Sequence, residues 1–145
     1  MTRDFKGRSL ITLAEFTAEE LTTILDLADD LKKERAAGKL RTTHAGKALA
    51  LLFQKPSLRT RVSFDIAIRE LGGEALYLSP DEVGLGKRET VEDVATVLSR
   101  YVHGIMARVF GHHIVEDLAR YAQVPVINGL SDLYHPCQAL SLIHI

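Results

Sequence analysis

Residues 53–65, Phe-Gln-Lys-Pro-Ser-Leu-Arg-Thr-Arg-Val-Ser-Phe-Asp, place an unusual set of donors at one point of the chain. An apolar run stops at Pro56 and Ser57, and a helical pattern restarts behind Arg59, Thr60 and Arg61. A strand that breaks at a Pro-Ser step and resumes as a helix offers free backbone N–H groups and the positive end of the helix dipole to an anion. The Arg59 guanidinium and the Ser57 and Thr60 hydroxyls add charge and donors at the same place. This is the layout of a phosphate site without the glycines of the familiar phosphate loops. The structural alternative is an N-capped helix with solvated arginines. Two arginines beside the break favour the oxyanion site.

Further candidates lie downstream. Arg108 interrupts the run Ile105-Met106-Ala107 and Val109-Phe110, and a buried arginine needs an anionic partner, either a structural carboxylate or a ligand. His135-Pro136-Cys137-Gln138 opens another helical pattern. A histidine can donate to a carbonyl oxygen, and Gln138, one helical turn on, can read an amide or carbamoyl group. A helix start with a capping histidine is the competing reading. Cys137 beside His135 invites a nucleophile, but adjacent helix positions diverge, so an inert, semi-buried thiol is expected. His112-His113 reads as a surface helix start, because no histidine pair has the partners of a zinc site. Gly84-Leu85-Gly86-Lys87-Arg88 is either a solvated loop or a basic lid over an anion, acting in cis or from a neighbouring subunit.

These groups need a scaffold, and the alternation of patterns predicts one. Thr17-Ala-Glu-Glu20 forms a capping box, and Leu21, Ile24, Leu25, Leu27, Ala28 and Leu31 recur at helical spacing to a stop at Gly38. A strand over 48–53 precedes a helix from Ser57, with Val62, Ile66 and Leu71 as its apolar stripe, closed by Gly72-Gly73. A strand over 74–78, a loop over 79–88, a helix from Glu89-Thr90, a strand over 104–110, a helix over 113–121 and a strand over 124–127 ending at Asn128-Gly129 follow. Strands alternating with helices predict an α/β fold: a parallel four-stranded sheet with helices on both faces, doubly wound. Ligands then bind beyond the carboxyl ends of the strands, where the candidate clusters fall. The last helical pattern, with Ala139, Leu140, Leu142, Ile143 and Ile145 apolar, stops after about two turns, which reads as a domain that once continued.

Composition narrows the classes. The 145 residues suffice for one domain with a core. A net charge of −1 gives no bulk electrostatic case for nucleic acid or an anionic membrane. One cysteine excludes an internal disulfide framework, and no apolar stretch reaches membrane-spanning length. The N-terminal residues carry neither a signal nor a transit pattern, so a cytoplasmic protein is expected.

The run 53–65 resembles the carbamoyl-phosphate signature of the aspartate/ornithine carbamoyltransferase family, whose usual core is Ser-Thr-Arg-Thr-Arg. His135-Pro136-Cys137-Gln138 matches the family's His-Pro-x-Gln, and Val126-Ile-Asn-Gly-Leu-Ser-Asp-Leu-Tyr-His135 resembles the ornithine branch. The resemblance runs from about Leu10 to Leu140, with two separate motifs in the right order. It implies that residues 1–145 are a carbamoyl-phosphate-binding domain whose ornithine-binding partner domain, with its Asp-containing and Cys-Leu-Pro motifs, is missing. It further implies transfer of a carbamoyl group to the δ-amine of ornithine in arginine biosynthesis, no cofactor or metal, and a homotrimer with sites between subunits. By position, Ser57, Leu58, Arg59 and Thr60 hold the phosphate, and Arg108 bridges phosphate and carbonyl oxygen. His135 bonds that carbonyl, Gln138 binds the carbamoyl amide, and Arg88, beside Lys87, falls nearest the loop residue that enters the adjacent subunit's site. Leu58 stands where the family usually has Thr, and the last five residues depart from its usual continuation. Other amine acceptors (N-acetylornithine, putrescine, aspartate), a non-catalytic anion-binding module, and a structural fragment with an exposed apolar helix are the alternatives.

Overall fold

The computed structural model describes residues 4–143; residues 1–3 and 144–145, used above in reading the two ends, lie outside them. A 3-10 turn over Leu13–Glu15 leads into α1 (Ala18–Ala36), β1 (Ala48–Phe53), α2 (Leu58–Glu70), β2 (Glu74–Leu78), α3 (Pro80–Val83), α4 (Val91–Ser99), β3 (Gly104–Arg108), α5 (His112–Tyr121), β4 (Val126–Leu130) and α6 (Pro136–Ile143). The strands pair in parallel in the order β2-β1-β3-β4. The chain thus winds outward in both directions from β1, and the switch lies between β1 and β3. This is the expected doubly wound α/β sheet.

Period-two alternation along the strands builds two cores. Ala50 and Leu52 of β1 join Ile105, Ala107 and Val126 beneath Val94 and Ala95 of α4 and Val115 and Leu118 of α5. Leu51, Phe53 and Met106 face the other way, against Phe64 of α2. Both faces of β1 are therefore covered, which is why its sequence is a continuous apolar run. None of the described helices is long and apolar enough to cross a membrane.

Several local readings need correction. Val62 and Ile66 are 49% and 43% exposed, and α2 instead buries Thr60 and Ile68. On α1, the predicted stripe is at most half-buried, and Glu20 is its one buried residue. Its side chain receives the Thr17 N–H at 2.9 Å and the Arg8 guanidinium at 2.7 Å. The predicted 79–88 loop contains a short helix, because Ser79-Pro80-Asp81-Glu82 is itself a capping box with Pro at the first helical position. β3 stops at Arg108, and α5 starts one residue early, at His112. His112 is buried rather than on a surface: its Nδ1 meets Ser131 Oγ at 2.7 Å and its N–H donates to Asp132 Oδ1 at 2.8 Å.

β4 starts at Val126 and runs through Asn128-Gly129 instead of ending there. A bulge makes this possible. Ala107 pairs with Asn128, but Arg108 pairs with Leu130, so Gly129 is the extra residue. A Cβ on Gly129 would lie 2.4 Å from Met106 Sδ, so a side chain here would force the buried Met106 side chain to shift.

Candidate functional site

The pairing of β1 with β3 puts two candidate segments side by side. Phe53 pairs with Arg108, and the Gln54 N–H donates to the Arg108 carbonyl at 2.9 Å. Both residues sit at carboxyl ends flanking the topological switch, the place where such sheets bind ligands.

Past β1, Ser57 turns the chain into α2 as its N-cap, with its Oγ accepting the Thr60 N–H at 3.4 Å. Ser57 Oγ donates to Thr60 Oγ1 at 3.1 Å, and Arg108 Nη1 donates to that same oxygen at 2.9 Å. A hydroxyl oxygen has two lone pairs and one proton. With both lone pairs engaged, the Thr60 O–H is left to donate. The N–H groups of Leu58 and Arg59, in the first turn of a 13-residue helix, have no intrahelical acceptor. Hydroxyl, amide and guanidinium donors therefore converge, and no described carboxylate pairs with Arg108. The structural salt bridge weighed for that arginine is not what holds it.

His135 stands at the end of the β4–α6 connection, near enough to Arg108 to feel its charge. Burial, and secondarily the Arg108 charge, holds its pKa below the usual 6.5, so the ring is neutral near pH 7. Arg108 Nε and His135 Nδ1 are buried with no hydrogen-bond partner among the described residues. Two such nitrogens at one set of strand ends are expected where a polar ligand completes the bonding.

The remaining candidates stand apart. Arg59 and Gln138 are exposed and make no ion pair or side-chain hydrogen bond among the described residues. Leu58 is 76% exposed, so its position offers the site a backbone N–H and not a packed side chain. Arg88 lies off the cluster: its Nη2 donates to the Glu82 carbonyl. With Lys87, Gln54 and Phe110 it lines a separate cavity of about 330 Å³ that shares the β1 tip. Arg61 is not at the site, since its guanidinium lies 3.6 Å over the Tyr77 ring. Burial pushes the Cys137 thiol up, against a nucleophilic role. A larger cleft of about 980 Å³ lies at the opposite, amino ends of the strands, beside Ala48, Gly104 and Pro125, and touches none of these residues.

The family model for the aspartate/ornithine carbamoyltransferase carbamoyl-P binding domain matches residues 8–143. The chain belongs to the aspartate/ornithine carbamoyltransferase family. It is 56% identical over 141 residues to the ornithine carbamoyltransferase of Pyrococcus abyssi, covering 97% of this chain and 44% of the relative. The Thermococcus kodakarensis ornithine carbamoyltransferase is 55% identical over 97% of this chain and 45% of its own length. Among solved structures, the Pyrococcus furiosus ornithine carbamoyltransferase superimposes with a TM-score of 0.96 at 54% identity, over 99% of this chain and 46% of that one. The chain thus spans somewhat under half the length of the relatives it matches.

Within this carbamoyltransferase scaffold, Gln54 is a residue that the sequence pattern did not single out. Its Oε1 accepts the Phe110 N–H at 2.8 Å, and its Nε2 donates to the Leu85 carbonyl at 3.1 Å. One amide thereby ties the ends of β1 and β3 to the 84–88 loop. The signal was there, a polar residue directly after an apolar strand, but its partners emerge only from the β1–β3 pairing.

Proposed function

We propose that this chain is the carbamoyl-phosphate-binding half of an ornithine carbamoyltransferase. The observation that carries the reading is the Ser57–Thr60–Arg108 cluster, together with two buried nitrogens, Arg108 Nε and His135 Nδ1, that have no partner among the described residues. Ser57, Thr60, Arg59 and the Leu58 and Arg59 N–H groups take the phosphate. Arg108 spans the phosphate and the carbamoyl oxygen. Neutral His135 donates to that oxygen, and Gln138 reads the carbamoyl NH2. Arg88 reaches an anion only from a different setting of its loop, or in a neighbouring subunit. The other half of the enzyme supplies ornithine. Its neutral δ-amine attacks the carbamoyl carbon, the new C–N bond forms, and the tetrahedral intermediate breaks its C–O bond to phosphate. The amine proton is lost and citrulline remains. Negative charge grows on the carbonyl oxygen and the leaving phosphate, where the fixed donors stand. A homotrimeric assembly, a cytoplasmic setting and a place in arginine biosynthesis accompany this reading.

The test is calorimetry on the chain with carbamoyl phosphate and with inorganic phosphate. Tighter binding of carbamoyl phosphate is expected, because His135 and Gln138 have partners only on the carbamoyl group. Equal affinity for the two would make the domain a simple anion-binding module instead.

A further inference from the structure

His135 has an unpartnered ring nitrogen and no side-chain hydrogen bond among the described residues, so its placement comes from the backbone that carries it. That backbone converges on Asn128. This side chain is fully buried in β4, a strand otherwise built of Val126, Ile127, Gly129 and Leu130. Its Nδ2 donates to the Ile11 carbonyl at 3.0 Å and to the Tyr134 carbonyl at 3.3 Å, and it lies 3.3 Å from Ser131 Oγ. The Tyr134 carbonyl belongs to the peptide bond that leads into His135. It also accepts from the Ser131 N–H at 3.0 Å and Ser131 Oγ at 3.3 Å, while the Tyr134 N–H returns to Ser131 Oγ at 3.2 Å. On its other side, Asn128 Oδ1 accepts the Leu130 N–H at 3.0 Å. Leu130 is the residue that the bulge sets opposite Arg108.

We propose that Asn128 is the positioning residue of this site, a single buried amide that fixes both the Tyr134–His135 peptide and the bulge beside Arg108. A buried primary amide has two donors and an acceptor to satisfy, and here they are satisfied by groups that belong to the site's own frame. An apolar residue could fill the same volume but would take away the partner of the Ile11 carbonyl and of the Leu130 N–H, and would leave the Tyr134 carbonyl held by Ser131 alone. The loop would then sample other settings, and the His135 ring would move with it. The inference rests on the proposed role of His135 for its functional consequence, but not for its geometry.

The experiment uses the 145-residue chain, with Asn128→Ala and Ser131→Ala variants and carbamoyl phosphate as the probe. NMR titration of the His135 imidazole reads placement directly. In Asn128→Ala the titration midpoint is expected to rise toward the ordinary histidine value as the ring loosens, and carbamoyl phosphate binding to weaken about tenfold. Ser131→Ala, which keeps the Asn128 bond to Tyr134, is expected to shift the midpoint in the same direction by less. Val115→Ala, which thins the core around α5, is the control: it lowers stability and leaves the midpoint in place. A folded Asn128→Ala chain with the native midpoint and native affinity overturns the proposal. If Asn128→Ala does not fold, Asn128→Ser, whose shorter side chain gives up the bonds to the Ile11 and Tyr134 carbonyls, takes its place, and an unmoved midpoint and native affinity there overturn it equally. A native chain that binds no carbamoyl phosphate sinks the functional reading, while the midpoints still decide the positioning claim.

Discussion

Arg108 and Arg59 carry the same guanidinium in opposite circumstances. Arg108 ends an inner strand, with its carbonyl held by Gln54 and its Nη1 on Thr60. Arg59 is exposed on the first turn of α2 without a partner among the described residues. The first is ordered when the sheet forms. The second must give up its rotamers on meeting a ligand, at a cost of up to about 2 kcal/mol. The same division separates His135 from Gln138. One part of the site is built into the fold, and the other consists of free side chains around it. Removing a built-in group should therefore cost more affinity than removing a free one, although both are arginines.

The largest effect is expected at Arg108. Arg108→Met keeps the volume and removes the charge. Carbamoyl phosphate affinity should fall by about 3 kcal/mol, more than a hundredfold, as when one partner of a hydrogen-bonded charge pair is removed. Stability should hold or rise, because Arg108 is half-buried with a buried Nε that has no partner among the described residues, and an apolar side chain there leaves no such group. Calorimetry and urea unfolding read the two quantities separately. Loss of stability together with native affinity would mean that Arg108 serves the fold and not the ligand. Thr60→Val comes next. It keeps the shape, strands Arg108 Nη1 and Ser57 Oγ, and should destabilise by about 1–2 kcal/mol. Affinity should drop about tenfold, or 1.4 kcal/mol. Arg59→Ala is the matching test on the free side: affinity falls by about 1 kcal/mol, near fivefold, with unfolding unchanged. An Arg59→Ala loss as large as that of Arg108→Met would erase the distinction between the two regions.

Much of this division was visible in the sequence, and the exceptions have physical causes. The bounds of β1 and the Ser57 cap were legible because an apolar run between Lys47 and Gln54 admits one register, and because a Ser after Pro before a helical pattern has one common use. The outward face of Val62 and Ile66 was not. Their spacing of four is helical whichever side faces the core, and only packing against β1 and β2 selects Phe64 and Ile68. The end of β4 was misplaced because Asn-Gly normally marks a turn. Here the bulge against β3 makes the same pair part of a strand. Gln54 and Asn128 escaped notice because an amide's role lies in its partners: those of Gln54 lie 31 and 56 residues away, and Asn128 joins its near neighbours Leu130 and Tyr134 to Ile11, 117 residues away.

The built-in region also carries a pH signature. Burial and, to a lesser extent, the Arg108 charge lower the His135 pKa in the folded chain. Below about pH 6.5 the unfolded chain takes up a proton that the folded chain resists, so this group's contribution to stability falls as pH drops from 6.5 toward the folded value. His135→Gln should flatten that part of the profile. The readout is the difference in urea midpoint between the native chain and the variant at pH 7.5 and pH 5.5, which cancels the other titrating groups. A difference that grows at the lower pH in favour of the native chain would reverse the assigned direction.

The smallest effect is expected at Leu58, and it tests the comparison from the other end. This residue occupies a place where the family usually has Thr, beside Ser57 and Arg59. If the position mattered through its side chain, this chain would carry a damaged site. The side chain is 76% exposed, and what faces an anion from the first turn of α2 is the backbone N–H, which Leu and Thr share. Leu58→Thr should therefore change stability by no more than about 0.5 kcal/mol and affinity for carbamoyl phosphate by no more than about twofold. A tenfold gain would show a hydroxyl contact that this chain lacks, and would move position 58 from the free surroundings of the site into its bonded frame.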